Sequence, residues 1–265
     1  MPPTDDLHDE LSADWQRRVV GRSLKTAAER SVDRGRTLIE AATTVLDRAD
    51  GEDITVQEVA DEAGQSLRTL YQYFGSKDDL LLAVFEESMR LYAQLIETAI
   101  ADLTDPLDRL AGAVVAAARM PELTASSVQR GLTRVRLRLS EVEPERLGRA
   151  QVAVTDLVRG LVEGAQAAGR IHVADPDAAT FLLLSLNATY ITAATIGNDA
   201  GVRRPDIEGM ATFSLRGLGA ELEDHWYRSL ERRLDLPKPA ARKPKVPAKP
   251  TKPKPATKKK AQSSG

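Results

Sequence analysis

Apolar residues recur at three- and four-residue steps through most of the chain, and strand-like alternation is scarce. That periodicity predicts an all-α fold. Leu38, Ile39, Ala42, Val45 and Leu46 mark a first helix over 32–49. The stretch TVQEVADEAGQSLRTLYQYF, Thr55 to Phe74, then reads as two short helices about a tight turn. Thr55 and Glu58 have capping-box spacing, and Ile54 can staple against Val59. Val59 and Ala63 face inward, and Gly64 tolerates the positive φ that ends the first helix. Ser66 can cap the second helix, whose apolar positions Leu67, Leu70 and Phe74 keep helical spacing. Its other face carries Arg68, Thr69, Tyr71, Gln72 and Tyr73, hydrogen-bonding groups where a merely solvated helix more often has Glu and Lys. The pair is a helix-turn-helix whose second helix suits a DNA groove.

A long helix follows from Lys77 to about 101, with Asp78 and Asp79 at its positive N-terminal end. Further helices are expected at 106–118, 123–141, 144–168, 176–197 and 206–235, with Pro121, Pro144, Pro176 and Pro205 at or near their starts. Ala178 to Gly197 carries no charge but includes Ser185, Asn187, Thr189, Tyr190, Thr192 and Thr195. A helix buried among helices explains it better than a membrane span. Helix 206–235 would align Ile207, Met210, Ala211, Leu215, Leu218, Leu222, Trp226, Leu230 and Leu234 on one stripe. The final two helices either close an intramolecular core or form half of a four-helix bundle completed by a second copy. The homodimer is favoured, because a lone helix-turn-helix reads too few base pairs.

Charge sharpens this picture. The net charge of −2 conceals ten Lys and Arg, and no acids, from Pro237 onward. The remainder has 37 − 10 = 27 basic against 39 acidic residues, so the body is near −12. A DNA-binding chain of that sign must concentrate its positive charge locally. One concentration is Arg17, Arg18, Arg22, Lys25 and Arg30, behind the acids Asp5, Asp6, Asp9, Glu10 and Asp14. It reads either as a leader or as a basic arm along phosphates or in the minor groove, with Leu7, Leu11 and Trp15 allowing a partial helix. The other is the Lys- and Pro-rich tail, expected to be disordered, which would add counterion release to DNA binding or serve only solubility or RNA. The acidic N-terminus does not read as a signal peptide, and the lack of cysteine excludes disulfides and fits a cytoplasmic protein.

The run SLRTLYQYFGSKDDLL is similar to the recognition helix and following helix of the TetR family of transcriptional regulators. Leu70-Tyr71, Tyr73-Phe74 and Ser76-Lys77 carry the likeness, which covers Val32 to about Leu82. Gln65 departs from it, since the family usually has an apolar residue in the turn. The resemblance implies an N-terminal three-helix helix-turn-helix domain followed by a C-terminal helical ligand-binding and dimerisation domain. The expected boundaries are 1–30 extension, 31–82 head, 83–236 body and 237–265 tail. Expected DNA-binding residues are Thr55, Gln65, Ser66, Arg68, Thr69, Tyr71, Gln72, Tyr73 and Lys77. Arg68, Thr69 and Gln72 would lie nearest base edges, and Thr55, Tyr71, Tyr73 and Lys77 would hold phosphates.

The function expected is a ligand-released homodimeric repressor on a palindromic operator in double-stranded DNA. The alternative is a nucleoid-type architectural protein with little sequence preference. The resemblance further implies a small-molecule effector, acyl-CoA or another apolar ligand among the options, in a pocket within the C-terminal helices. Arg130, Arg134 and Arg138, with Arg136 nearby, would suit an anion if their face turned inward, or would be solvated beside Glu141, Glu143 and Glu145. Asn187 and Tyr190 are the other polar candidates. Enzyme signatures are missing. His8, His172 and His225 form no metal-spaced pair, Gly217-Leu218-Gly219 lacks the third glycine of a dinucleotide loop, and no Gly-x-Ser-x-Gly occurs. No cofactor, metal or membrane partner is expected.

Overall fold

The computed structural model describes residues 28–50, 52–197 and 201–237. The basic arm apart from Arg30, the Leu7–Leu11–Trp15 spacing and nearly all of the Lys-rich tail lie outside the described residues. Within them every regular element is helical. Helix α1 spans 28–48. It is followed by α2 (Val56–Glu62), α3 (Leu67–Tyr73), α4 (Lys77–Ala99), α5 (Pro106–Ala118), α6 (Met120–Leu123), α7 (Ser126–Val142), α8 (Pro144–Ala150), α9 (Val152–Ala167), α10 (Pro176–Ile196), α11 (Ile207–Gly217) and α12 (Trp226–Glu231).

Two apolar clusters organise these helices. The first joins Leu38, Ala42, Val45 and Leu46 of α1 to Val59, Leu70, Leu80, Leu81, Val84 and Phe85. It also takes in Leu132, Val135 and Leu139 of α7 and Leu147 and Ala150 of α8. The second is built on α5, with Ile96, Ala99 and Ile100 from the far end of α4 and residues of α9 to α12. Helix α4 therefore runs unbroken from one core into the other.

Two of the expected helices are divided. The 123–141 helix is found as α7, preceded by the short α6. The 144–168 helix bends at Gln151, where the N–H bonds back to the Gly148 carbonyl at 3.3 Å. The bend lets α8 serve the first cluster while Val158, Leu161 and Val162 of α9 serve the second. The 206–235 helix stops at Leu218. Gly219 adopts φ +79° and Ala220 N–H reaches back to the Leu215 carbonyl at 3.0 Å, which is a Schellman stop. Leu218 O then accepts from His172 N–H at 2.9 Å. Gly217-Leu218-Gly219 is thus a helix terminus. The single stripe from Ile207 to Leu234 does not exist. Helix α12 folds back on α5, pinned by Arg119 to Glu231 and by Arg233 Nη1 to Asp108 Oδ2 at 2.7 Å.

Helix α10 is also less enclosed than its composition suggested. Ala178, Leu182, Ser185 and Thr189 form a row at helical spacing that is largely open to solvent, and Phe181 beside it is 69% exposed. Long and apolar enough to cross a membrane, α10 has only 22% of its most apolar window buried in the single chain.

Candidate nucleic-acid interface

The helix-turn-helix is fixed by its caps. Thr55 Oγ1 accepts from Glu58 N–H at 3.2 Å, and Glu58 Oε2 accepts from Thr55 N–H at 2.7 Å, completing the capping box of α2. The Thr55 hydroxyl also donates to that carboxylate, and these bonds hold the Glu58 carboxyl below the usual carboxylate range. At the turn, Gly64 has φ +62° and Gln65 N–H returns to the Ala60 carbonyl at 2.9 Å. Ser66 Oγ then caps α3 through Thr69 N–H at 3.1 Å and lies 2.9 Å from the Thr69 hydroxyl.

Helix α3 buries Leu70 completely, which turns Arg68, Tyr71 and Gln72 to solvent at i, i+3 and i+4. Thr55 and Ser66 are exposed as well. Thr69, Tyr73 and Lys77 are half-buried. Tyr73 lines a groove of about 780 Å³ between α1 and α4, together with Val32, Ile39, Phe74 and Leu91. Gln65 is half-buried, with Oε1 enclosed and lacking a partner.

Acids crowd this surface, and cations cover them. Lys77 Nζ lies 2.6 Å from Asp53 Oδ1. Arg138 of α7 clasps Asp78 through Nε at 2.7 Å and Nη2 at 3.2 Å, and Arg146 of α8 meets Asp79 at 2.6 Å. Asp78 is held below the usual carboxylate range mainly by Arg138. Asp79 is held low by Ser76 first and Arg146 next. Both aspartates would otherwise oppose a polyanion at the start of α4. Sequence reasoning missed these partners, because they come from helices about sixty residues away in the chain.

Residues 38–84 match the family model described as bacterial regulatory proteins, tetR family. Residues 38–84 thus carry a TetR-type DNA-binding domain. Two curated relatives are HTH-type transcriptional regulators. HbdR of Aromatoleum sp. (strain CIB) is 35% identical over 93 residues, covering 35% of this chain and 41% of HbdR. BetI of Brucella anthropi is 36% identical over 81 residues, covering 31% of this chain and 42% of BetI. The chain thus spans about two fifths of the length of the curated relatives it matches. Among solved structures, RolR in complex with resorcinol aligns with TM-score 0.57 and 19% identity, over 80% of this chain and 98% of RolR. FadR from Bacillus subtilis in complex with stearoyl-CoA aligns with TM-score 0.53 and 20% identity, over 69% of this chain and 96% of FadR. These likenesses show the fold, a TetR-type helix-turn-helix head and a C-terminal helical domain.

The residues singled out for a ligand fall into two groups. Arg130 and Arg134 sit on the outer side of α7. Arg130 pairs with Asp50 at the end of α1, and Arg134 is exposed. Asn187 and Tyr190 are buried on α10, at 8% and 9% exposure. The Tyr190 hydroxyl donates to the Pro205 carbonyl at 3.3 Å, and the Arg204 guanidinium lies 5.2 Å from its ring centroid.

Proposed function

We propose that this TetR-family regulator is a cytoplasmic, ligand-released homodimeric repressor of a palindromic operator. The observation that carries the reading is the geometry of α3. A fully buried Leu70 seats it, and Arg68, Tyr71 and Gln72 project together from an otherwise acidic molecule. In the proposed complex Arg68, Thr69 and Gln72 approach base edges. Tyr71, Tyr73 and Lys77 hold phosphates, with Thr55, Gln65 and Ser66 at the flank of the same groove. Lys77 would exchange Asp53 for a phosphate oxygen. Residues 31–82 act as the reading head and 83–236 as the body.

Dimerisation is supported by exposed apolar side chains on α10 and α11, Phe181, Leu182 and Phe213. Such a face on a soluble regulator calls for a cover, and a second copy supplies it by two-fold symmetry. A small-molecule effector is supported by the neighbours solved with resorcinol and with stearoyl-CoA. Asn187 and Tyr190 are proposed as polar contacts of that site. Arg130 and Arg134, on the outer side of α7, are proposed to couple that site to the head.

The test is a genome-wide footprint followed by gel shift on the recovered site. A dimeric repressor gives a two-fold symmetric site with half-sites about 34 Å apart, and the complex survives excess random DNA. Equal displacement by every competitor would sink the reading in favour of sequence-blind DNA coating.

A further inference from the structure

Helix α7 turns a polar stripe inward. Gln129, Thr133 and Arg136 stand at i, i+4 and i+7, on one helical face. Gln129 is 5% exposed and Thr133 4%. Gln129 Oε1 accepts from the Tyr92 hydroxyl at 2.7 Å, and Thr133 Oγ1 donates to the Gln129 carbonyl at 2.8 Å. Arg136 differs from both. Its Nη2 donates to Thr192 Oγ1 of α10 at 3.0 Å, and among the described residues no carboxylate pairs with it. Arg130, Arg138 and Arg146 nearby each have an aspartate. Desolvation lowers the pKa of Arg136, the expected cost of a cation drawn from water without a counter-charge. On α10 itself, Asn187 keeps an enclosed Oδ1 with no partner. Helices α7 and α10 thus pack together with one cation lacking a carboxylate at their contact, and α10 carries one unsatisfied amide oxygen.

We propose that Arg136 anchors an anionic effector, a small molecule with a carboxylate or phosphate on an apolar body, bound between α7 and α10. The inference rests on the reading of the chain as a ligand-released regulator. The planar guanidinium fork offers paired donors to either anion, while the part of α10 beyond Asp177 carries no charge to oppose it. Regulation follows from the two-sidedness of α7. Arg130 and Arg134 lie about 120° and about 160° around the helix from Arg136. The outer side grips the head through Arg130 with Asp50 and Arg138 with Asp78. An anion drawing Arg136 toward α10 rolls α7 and loads those ion pairs.

The test uses the full-length chain, its Arg136→Met and Arg136→Lys variants, and three probes of one chain length, decanoate, decyl phosphate and neutral decanol. With the wild type, the charged probes should raise Tm and weaken operator binding at least about tenfold, a coupling within the usual allosteric range, and decanol should do neither. Arg136→Met should bind operator within twofold of wild type and lose both responses, and Arg136→Lys should keep part of them. Without any probe, Arg136→Met should match the wild-type Tm or exceed it by about 2–4 °C, because a partly buried cation without a carboxylate partner is removed. A fall in Tm or loss of the dimer would make Arg136 a structural residue paired with a second copy, and overturn the proposal. It is overturned equally if charged probes leave the wild type unmoved, if decanol matches decanoate, or if Arg136→Met responds in full. Charged probes that raise the wild-type but not the Arg136→Met Tm, with operator occupancy unchanged, would uphold the site and refute ligand release.

Discussion

Leu182→Asp should break the proposed dimer without harming the protomer. Phe181, Leu182 and Phe213 are 69%, 64% and 72% exposed. Full burial of such a side chain contributes about 1.5–3 kcal/mol, so covering the roughly two thirds still open contributes about 1–2 kcal/mol each. Two-fold symmetry counts every side chain twice, giving about 6–12 kcal/mol for the six. The cost of association is subtracted from that sum. Leu182→Asp removes about 2–4 kcal/mol of it, and it sets two carboxylates in an apolar seam. The dimer dissociation constant should rise by about 30-fold to 1,000-fold from the missing burial alone, and further from charge. Because Leu182 is exposed in the protomer, helix content and Tm measured at high dilution should stay near wild type. Sedimentation velocity across a dilution series reads the dissociation constant, and a gel shift on the palindromic site reads the consequence for DNA. A Leu182→Asp protein that remains dimeric with wild-type affinity would show that α10 is not the interface. A variant that dissociates yet keeps full operator affinity would refute the need for two heads.

Within the head, Arg68→Ala should change which operator variants bind, with about 1–3 kcal/mol lost at one base position. Lys77→Ala should weaken all of them alike; the opposite pattern in a variant-operator gel shift would mean that α3 is rotated in the groove. Leu70→Ala, at a fully buried position, should cost about 2–5 kcal/mol by chemical denaturation and abolish DNA binding. Asp78 and Asp79 have depressed folded-state pKa values, so their contribution is complete above the ordinary aspartate value and is lost as pH falls through the lower folded one. Tm should therefore be insensitive to this seam above about pH 5 and fall under acid. Asp78→Asn should flatten the acid limb in a Tm series against pH, and a seam-dependent change between neutral and mildly alkaline pH would refute the assignment. Removing residues 237–265 should preserve operator choice and lower the salt slope by up to about 0.9 log units for each phosphate that the tail neutralises, and an unchanged slope would exclude the tail from DNA.

The head was legible because its signals are local. Thr55 and Glu58 are three residues apart, Gly64 marks the only turn the spacing allows, and Leu67, Leu70 and Phe74 declare a face without reference to anything distant. The same logic failed at Gly219. Leu218, Leu222, Trp226, Leu230 and Leu234 keep a four-residue step across the stop, so periodicity continues where the helix does not. Both glycines beside Leu218 were present in the sequence, but a helix stop and an irregular apolar segment share their local composition. Arg130, Arg134 and Arg138 were correctly read as one helical row. Its direction depends on Asp50 and Asp78, which lie 80 and 60 residues away in sequence and come close only in the fold.

That direction bears on how the proposed effector would release DNA. The first apolar cluster is not confined to the three helices of the head, since Leu132, Val135 and Leu139 of α7 and Leu147 and Ala150 of α8 complete it. Gly131 shows how closely α7 approaches. A Cβ there would stand 3.1 Å from Leu46 Cδ2 and 3.4 Å from Leu46 Cβ, and the latter cannot rotate aside. Glycine weakens a helix interior by about 1 kcal/mol relative to alanine, and here it permits close approach of the α7 backbone to α1. Head and body are therefore not two bodies on a flexible joint. They share α4 as a continuous rod and α7 as a clamp with Arg130, Gly131 and Arg138 on its gripping side. In a close-packed junction a small roll of α7 cannot be absorbed where it starts. It must either break the arginine clasps or carry α1 and the start of α4 with it, and either outcome would move α3 relative to its counterpart in the proposed dimer.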